Sequence, residues 1–125
     1  MRAYQISCDL LDSAWADAEK LVQHRITVKV GGQLYAAVGS IQANLAEGYS
    51  RSSGRDRARI FEYALGSIRE SMIWYDASVH VLGPEIIRER AQMLEELRRL
   101  LLAIIPRERD RLIRPAVSPK SAVSP

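Results

Sequence analysis

This sequence predicts an all-α chain folded as an up-down-up-down four-helix bundle, on three observations. Apolar residues recur at intervals of three and four along most of the chain, which is the helical period and not the alternation of a strand. The seven glycines and five prolines are few among 125 residues, and most of them punctuate those periodic runs. The runs number four, their links are of bundle length, and the whole fits one compact domain with a real core.

The first helix is expected over residues 5–25, with Leu10, Leu11, Ala14, Ala18, Leu21 and Val22 on one stripe and Asp9, Asp12, Asp17, Glu19 and Lys20 off it. ITVKV at 26–30 is β-branched, but a single five-residue strand has nothing to pair with, so it reads as a helix end and link. Gly31 and Gly32 break the pattern. The second helix follows over residues 33–49 with Leu34, Val38, Ile41 and Leu45 facing the core, and SRSSGRD at 50–56 is a turn of residues that satisfy their own backbone. The third helix runs over 55–82, long for a globular domain, with Phe61, Ala64, Leu65, Ile68, Met72, Tyr75, Val79 and Leu82 in register.

Gly83-Pro84 ends the third helix and begins a fourth over 84–105, carrying Ile86, Ile87, Met93, Leu94, Leu97, Leu100, Leu101, Ile104 and Ile105. Pro106 kinks or ends it, and RERDRLIR at 107–114 reads as a short charged helical extension. The bundle is therefore placed at 1–114. The remainder, PAVSPKSAVSP at 115–125, repeats AVSP without apolar periodicity and reads as a disordered Pro/Ser tail.

Composition narrows the function. A lone cysteine, Cys8, excludes an intramolecular disulfide framework and offers no metal-ligand spacing. Asp9 and Asp12 interrupt the start where a signal peptide needs an apolar run, and no segment approaches the roughly 20 apolar residues of a membrane span. The expected setting is cytoplasmic, with no membrane partner. Net charge is +3 with an isoelectric point near 9.3. The positive excess sits at Arg51, Arg55, Arg57 and Arg59 and in the C-terminal third.

Catalytic chemistry finds little to work with. A di-iron bundle needs Glu-x-x-His pairs, but Leu21 and Ala77 stand three residues before His24 and His80. An Arg-x4-His nuclease motif is excluded because Glu19 and Tyr75 stand five residues before those histidines. No serine lies in a Gly-x-Ser-x-Gly turn, and Gly31-Gly32 lacks the spacing and the lysine of a phosphate loop. Neither an enzyme nor a bound metal or other cofactor is expected.

The informative stretch is 40–71. Ser40, Asn44, Glu47 and Arg51 are spaced four, three and four along the second helix, and Ser67, Ser71 and Ser78 form a small polar stripe on the third, where Gly66 removes a side chain. Asn44-Leu45-Ala46-Glu47-Gly48-Tyr49 with Arg51, followed by Phe61 and by Ala64-Leu65-Gly66-Ser67-Ile68 with Glu70, resembles the paired signature of the family named for the 23S rRNA intervening-sequence protein. The resemblance is close over residues 38–72, with Gln42 where the family usually has proline and Ser71 where leucine is common. It implies a bacterial four-helix-bundle protein without catalytic activity, assembling with itself into a ring of five. It also implies kinship in fold with the diversity-generating retroelement accessory proteins that bind reverse transcriptase and RNA.

Several assignments stay open at this level. Glu47 and Glu70 are either an acid-base pair or part of a structural network accepting from Arg51, Asn44 or Ser67. Arg51, Arg55, Arg57 and Arg59 either clamp a phosphate backbone or form a solvated turn or interface pairs. Arginine at 55, 57 and 59 opposes the dipole of a helix start, which favours a partner of negative charge. Arg98, Arg99, Arg107, Arg109, Arg111 and Arg114 form a second basic set that alternates with Glu95, Glu96, Glu108 and Asp110. Gly66, Ser71 and Trp74 are candidates for a subunit interface, Trp74 alternatively lying at the edge of the core. The expected function is a homo-oligomer that binds RNA or a reverse-transcriptase-like protein through Arg51, Arg55, Arg57, Arg59, Arg107, Arg109 and Arg111; the alternative is a protein-interaction scaffold.

Overall fold

The computed structural model describes residues 1–111; the expected tail at 115–125 and the last three residues of the expected bundle lie outside the described residues. Among the described residues, four long helices and one single-turn helix make the fold: α1 (Arg2–Val22), α2 (Val28–Ser50), α3 (Gly54–Asp76), α4 (Val79–Leu82) and α5 (Pro84–Asp110). No strand occurs among the described residues. Neighbouring long helices run antiparallel. Gln42 of α2 donates to Cys8 of α1, Ser67 of α3 to Ser40 of α2, and Arg57 at the start of α3 to Glu108 at the end of α5.

The core is the line along which the four long helices meet. Leu10, Ala14 and Leu21 of α1, Leu34, Val38, Ile41 and Leu45 of α2, Phe61, Ala64 and Ile68 of α3, and Leu94, Leu97 and Leu101 of α5 are all fully buried. Their spacing is that of an amphipathic helix, and their burial is what makes each helix stable in place.

Two internal boundaries differ from the sequence expectation, each for a local reason. Gly31 and Gly32 lie inside α2 instead of ahead of it. The chain turns earlier, where Thr27 Oγ1 donates to the Leu21 carbonyl at 2.7 Å, and Gly31 lets α2 close on α1, since a Cβ there would fall 2.7 Å from Val22 Cγ1. The expected third helix is divided at Ala77 and Ser78. Ser78 is buried, its hydroxyl donates to the Trp74 carbonyl at 2.7 Å and its N–H to Tyr75, which tightens the end of α3 before α4 begins. Gly83 then stops α4 with φ of 88°, a conformation that favours glycine.

Pro106 does not end the last helix, which continues to Asp110. It stands one turn from the C-terminus, and beyond it Glu108 is fastened to Arg57, which holds the final turn against the start of α3.

Candidate nucleic-acid interface

The turn between α2 and α3 is built from the signature residues. Gly48 exists for Phe61: a Cβ at 48 would stand 2.5 and 2.8 Å from carbons of that ring, so the bare backbone of α2 seats the phenylalanine. Tyr49 meets the same ring edge-on, with centroids 5.3 Å apart. Higher up, Asn44 donates to the Ser40 carbonyl and hydroxyl at 2.9 and 3.2 Å, and Ser67 donates to the Ser40 hydroxyl at 2.9 Å, which ties α3 to α2. Ala64 is fully buried. Glu47, in the last turn of α2, pairs at 2.8 Å with Arg51, the residue that follows the helix.

The two arginine sets, about fifty positions apart in sequence, meet at this end of the bundle. Ser53 caps α3 by accepting from the Asp56 N–H at 3.1 Å. Gly54 lies directly beneath α5, where any Cβ would collide with the Glu108 carbonyl oxygen. Arg57 reaches across to donate to Glu108 at 2.9 Å and to the Arg51 carbonyl, and both charged side chains are more than four-fifths buried. Arg57 is therefore a clasp between turn and helix end, and its charge at the start of α3 is answered from within the chain.

The other arginines line the outside of this end. Arg51 is half-buried, with its Nε lacking a partner among the described residues. Arg59 is half exposed, 3.6 Å from Asp56, donating to Tyr63 Oη at 3.1 Å and lying over that ring. Arg109 pairs with Glu62 at 2.7 Å, both half in solvent, and Arg111 pairs with Glu108 at 3.0 Å. Arg55 and Arg107 are exposed and form no ion pair among the described residues, Arg107 reaching only the Ala103 carbonyl at 3.5 Å.

Burial alone would raise the pKa of Glu108, but hydrogen bonds from Arg57 and Arg111 outweigh it and hold the carboxyl below its ordinary value. Tyr49 nearby is raised, by burial first and by the Glu108 charge second, against the opposing pull of Arg57.

A family model for the 23S rRNA-intervening sequence protein matches residues 1–103. The chain belongs to that family. No curated protein and no solved structure gives a significant match. The match to the intervening-sequence family contains the α2–α3 turn and its arginines and ends before Arg107, Arg109 and Arg111.

The three interface candidates of this family member divide by burial. Ser71 is fully buried with its hydroxyl on the Ser67 carbonyl at 2.8 Å, so it lies inside the bundle and not on a surface another subunit can reach. Trp74 is half-buried against the core with Nε1 3.5 Å from Glu70, an edge-of-core placement. Gly66 is exposed, and a Cβ there would meet nothing within 4 Å. No hydrogen bond among the described residues joins Glu47 to Glu70, and no group of three His, Cys, Asp or Glu residues there is placed to hold a metal ion.

The strongest polar feature of the intervening-sequence fold is one the sequence reading missed. Asp17, expected off the apolar stripe of α1, is 1% exposed and central to a buried network. Tyr75 of α3 donates to its Oδ2 at 2.7 Å, and Arg90 of α5 grips both carboxylate oxygens at 2.7 and 3.2 Å. Three helices are thereby tied at one point. Arg90 also reaches Glu89 at the surface. Burial, and then the Asp17 carboxylate, raise the Tyr75 pKa, so its phenol stays a donor. The signal was present: positions 10, 14, 17 and 21 follow the core spacing of four, three and four, which places residue 17 inside whatever its type.

Proposed function

We propose that this protein is a non-enzymatic homo-oligomer that binds RNA, or an RNA-handling protein, through the arginine-bearing end of its bundle. The observation that carries this reading is the buried Arg57–Glu108 clasp, which brings the start of α3, with Arg55 and Arg59, and the last turn of α5, with Arg107, Arg109 and Arg111, to one end of the bundle. Guanidinium groups suit phosphate oxygens through paired N–H donors. Membership of a family named for an rRNA intervening sequence supports the choice of RNA.

The residues divide by role. Arg55, Arg59 and Arg107 meet phosphate, Arg109 exchanges its surface partner Glu62 for it, Arg111 adds its charge beside the buried Glu108, and Arg51 and Arg57 support the turn. Assembly into the ring of five that the resemblance implies multiplies this end by the number of copies, so a charge of +3 per chain becomes a substantial field. A protein scaffold is the second reading, favoured by the ion pairing of Arg51, Arg57, Arg59, Arg109 and Arg111 within the chain.

The test is substitution at fixed salt. Arg55→Ala, Arg59→Ala and Arg107→Ala together are expected to weaken binding to a pool of structured RNAs at least about tenfold, since three lost phosphate contacts are each worth roughly 0.5–1 kcal/mol. Unchanged affinity in the triple variant, or no RNA binding by the wild type, leaves the scaffold reading.

A further inference from the structure

We propose that Tyr63 is the platform on which an unpaired RNA base stacks while Arg55 and Arg59 hold the backbone beside it; this rests on the RNA-binding reading above and names single-stranded segments as the form bound. Arg55, Arg59 and Tyr63 are spaced four and four along α3 and all three are exposed, so they share the outer face of that helix. Glu62, the residue before the tyrosine, pairs with Arg109 of α5 at 2.7 Å, which brings the second arginine set alongside the same ring. Arg69 is exposed one turn past Gly66. The carboxylates within two turns of Tyr63 on α3 each face a donor: Asp56 lies 3.6 Å from Arg59, Glu62 is on Arg109, and Glu70 lies 3.5 Å from Trp74 Nε1.

The ring is 52% exposed, so the core does not require it. It is nonetheless held in place. Arg59 donates to the phenol oxygen at 3.1 Å, and its guanidinium carbon lies 5.8 Å from the ring centroid. A guanidinium carries several N–H donors, so one can hold the phenol while others meet phosphate. Helix side chains lean toward the N-terminus, so the space over the Tyr63 ring on the side away from Arg59 belongs to the residue one turn on. On the outer face that residue is Gly66, and a Cβ there would meet nothing within 4 Å. The ring therefore has a cation on one side and an open slot on the other.

Charge selects this ring among the exposed aromatic side chains. Trp15 is 57% exposed, but Asp12 and Glu19 are exposed one turn to either side of it and repel phosphate. Tyr49 is 41% exposed and turned edge-on to Phe61. Tyr63 stands instead between Arg59 and Arg109. Every base has a π face that an aromatic ring can accept, with cationic groups beside the ring tracking the backbone. In a duplex those faces are covered by the neighbouring bases, so a ring of this kind takes a base from a loop, a bulge or an end.

The test uses the full chain and two probes at equal salt: an oligouridine strand carrying one 2-aminopurine, whose emission falls on stacking, and an RNA duplex of the same length. Wild type is expected to quench the strand and to bind it more tightly than the duplex. Tyr63→Leu is expected to lose the quench and at least about fivefold in affinity for the strand, and Tyr63→Phe to keep both. Gly66→Leu, which fills the slot from an exposed position, is expected to behave as Tyr63→Leu. Circular dichroism checks that each variant keeps the wild-type helicity. Binding of neither probe by the wild type overturns the RNA reading and this inference with it. Strand binding that falls in the Arg55→Ala, Arg59→Ala, Arg107→Ala triple variant but is unchanged in Tyr63→Leu and Gly66→Leu overturns the stacking assignment alone. So does an equal loss in Tyr63→Phe and Tyr63→Leu, which traces the effect to the phenol's hold on Arg59 and not to the ring.

Discussion

Replacing Asp17 by alanine should be among the most damaging single changes in this protein. The carboxylate is 1% exposed and accepts from Tyr75 Oη, Arg90 Nε and Arg90 Nη2. Its removal leaves a guanidinium on a residue 8% exposed with only Glu89 for company, and a phenol on a residue 1% exposed with no acceptor. Breaking a buried pair from one side costs about 3–5 kcal/mol, against a total stability of about 5–15 kcal/mol for a domain of this size. With a urea slope of about 2 kcal/mol/M, the unfolding midpoint should fall by about 1.5–2.5 M. The assay is equilibrium urea unfolding by circular dichroism at matched protein concentration, because any association between copies, as proposed above, would shift the midpoint too. Replacing both Asp17 and Arg90 by leucine should cost much less than Asp17→Ala alone, since no charge is then left buried. A loss below about 1 kcal/mol in Asp17→Ala, the figure for a surface pair, would refute the view that this network ties three helices together.

The turn carries three further predictions. Gly48→Ala should force the Phe61 ring from its seat and cost about 1–3 kcal/mol by overpacking, read as a lower Tm, whereas Gly32→Ala, with open space around it, should not lower the Tm of the monomer. Phe61→Ala removes a fully buried ring and should cost about 3–5 kcal/mol in the same melt. Glu108 has a folded pKa below its ordinary 4.5, so its contribution is present above about pH 4.5 and is lost as pH falls through the folded value. Wild type should therefore exceed Glu108→Gln in urea midpoint at pH 7, and the gap should close as pH falls through the folded value; a gap that persisted in acid would contradict the clasp.

Period and punctuation carried most of the fold in the sequence, because a helix that buries one side must write that side into every third and fourth residue. Leu34, Val38, Ile41 and Leu45 could be read directly for that reason. The same logic failed at Asp17: its residue type argued for solvent although its position argued for the core, and position won because Arg90 and Tyr75 arrive from distant parts of the chain. Gly31 and Gly32 misled in another way. Two adjacent glycines look like a break, but Gly31 marks a close approach to α1 that no local pattern discloses. Pro106 lies within α5 because the turn beyond it is held by Arg57, a tertiary contact.

At the candidate site the arginines were legible and their partners were not. The sequence placed Arg57 with Arg55 and Arg59 as equals. The fold makes it a buried clasp, since Glu108, 51 positions later, returns to the same spot. The second arginine set, which in sequence is a separate group alternating with acidic residues, is in part the other half of this end of the bundle. Ser71 looked like a surface residue on a polar stripe, but a serine hydroxyl satisfied by the carbonyl one turn back can be buried at little cost.

The most direct measurement of the central claim is the salt dependence of RNA binding by the full chain. Three phosphate contacts per copy, from Arg55, Arg59 and Arg107, predict a slope of about −2 in log affinity against log salt for single-stranded segments, with affinity falling about 16-fold between about 50 and 200 mM. The slope should become shallower by about 0.7 for each of these arginines converted to alanine in a copy that carries the others. Binding that is absent, or that is indifferent to salt over this range, would contradict the account and leave the arginine-bearing end without a nucleic-acid role.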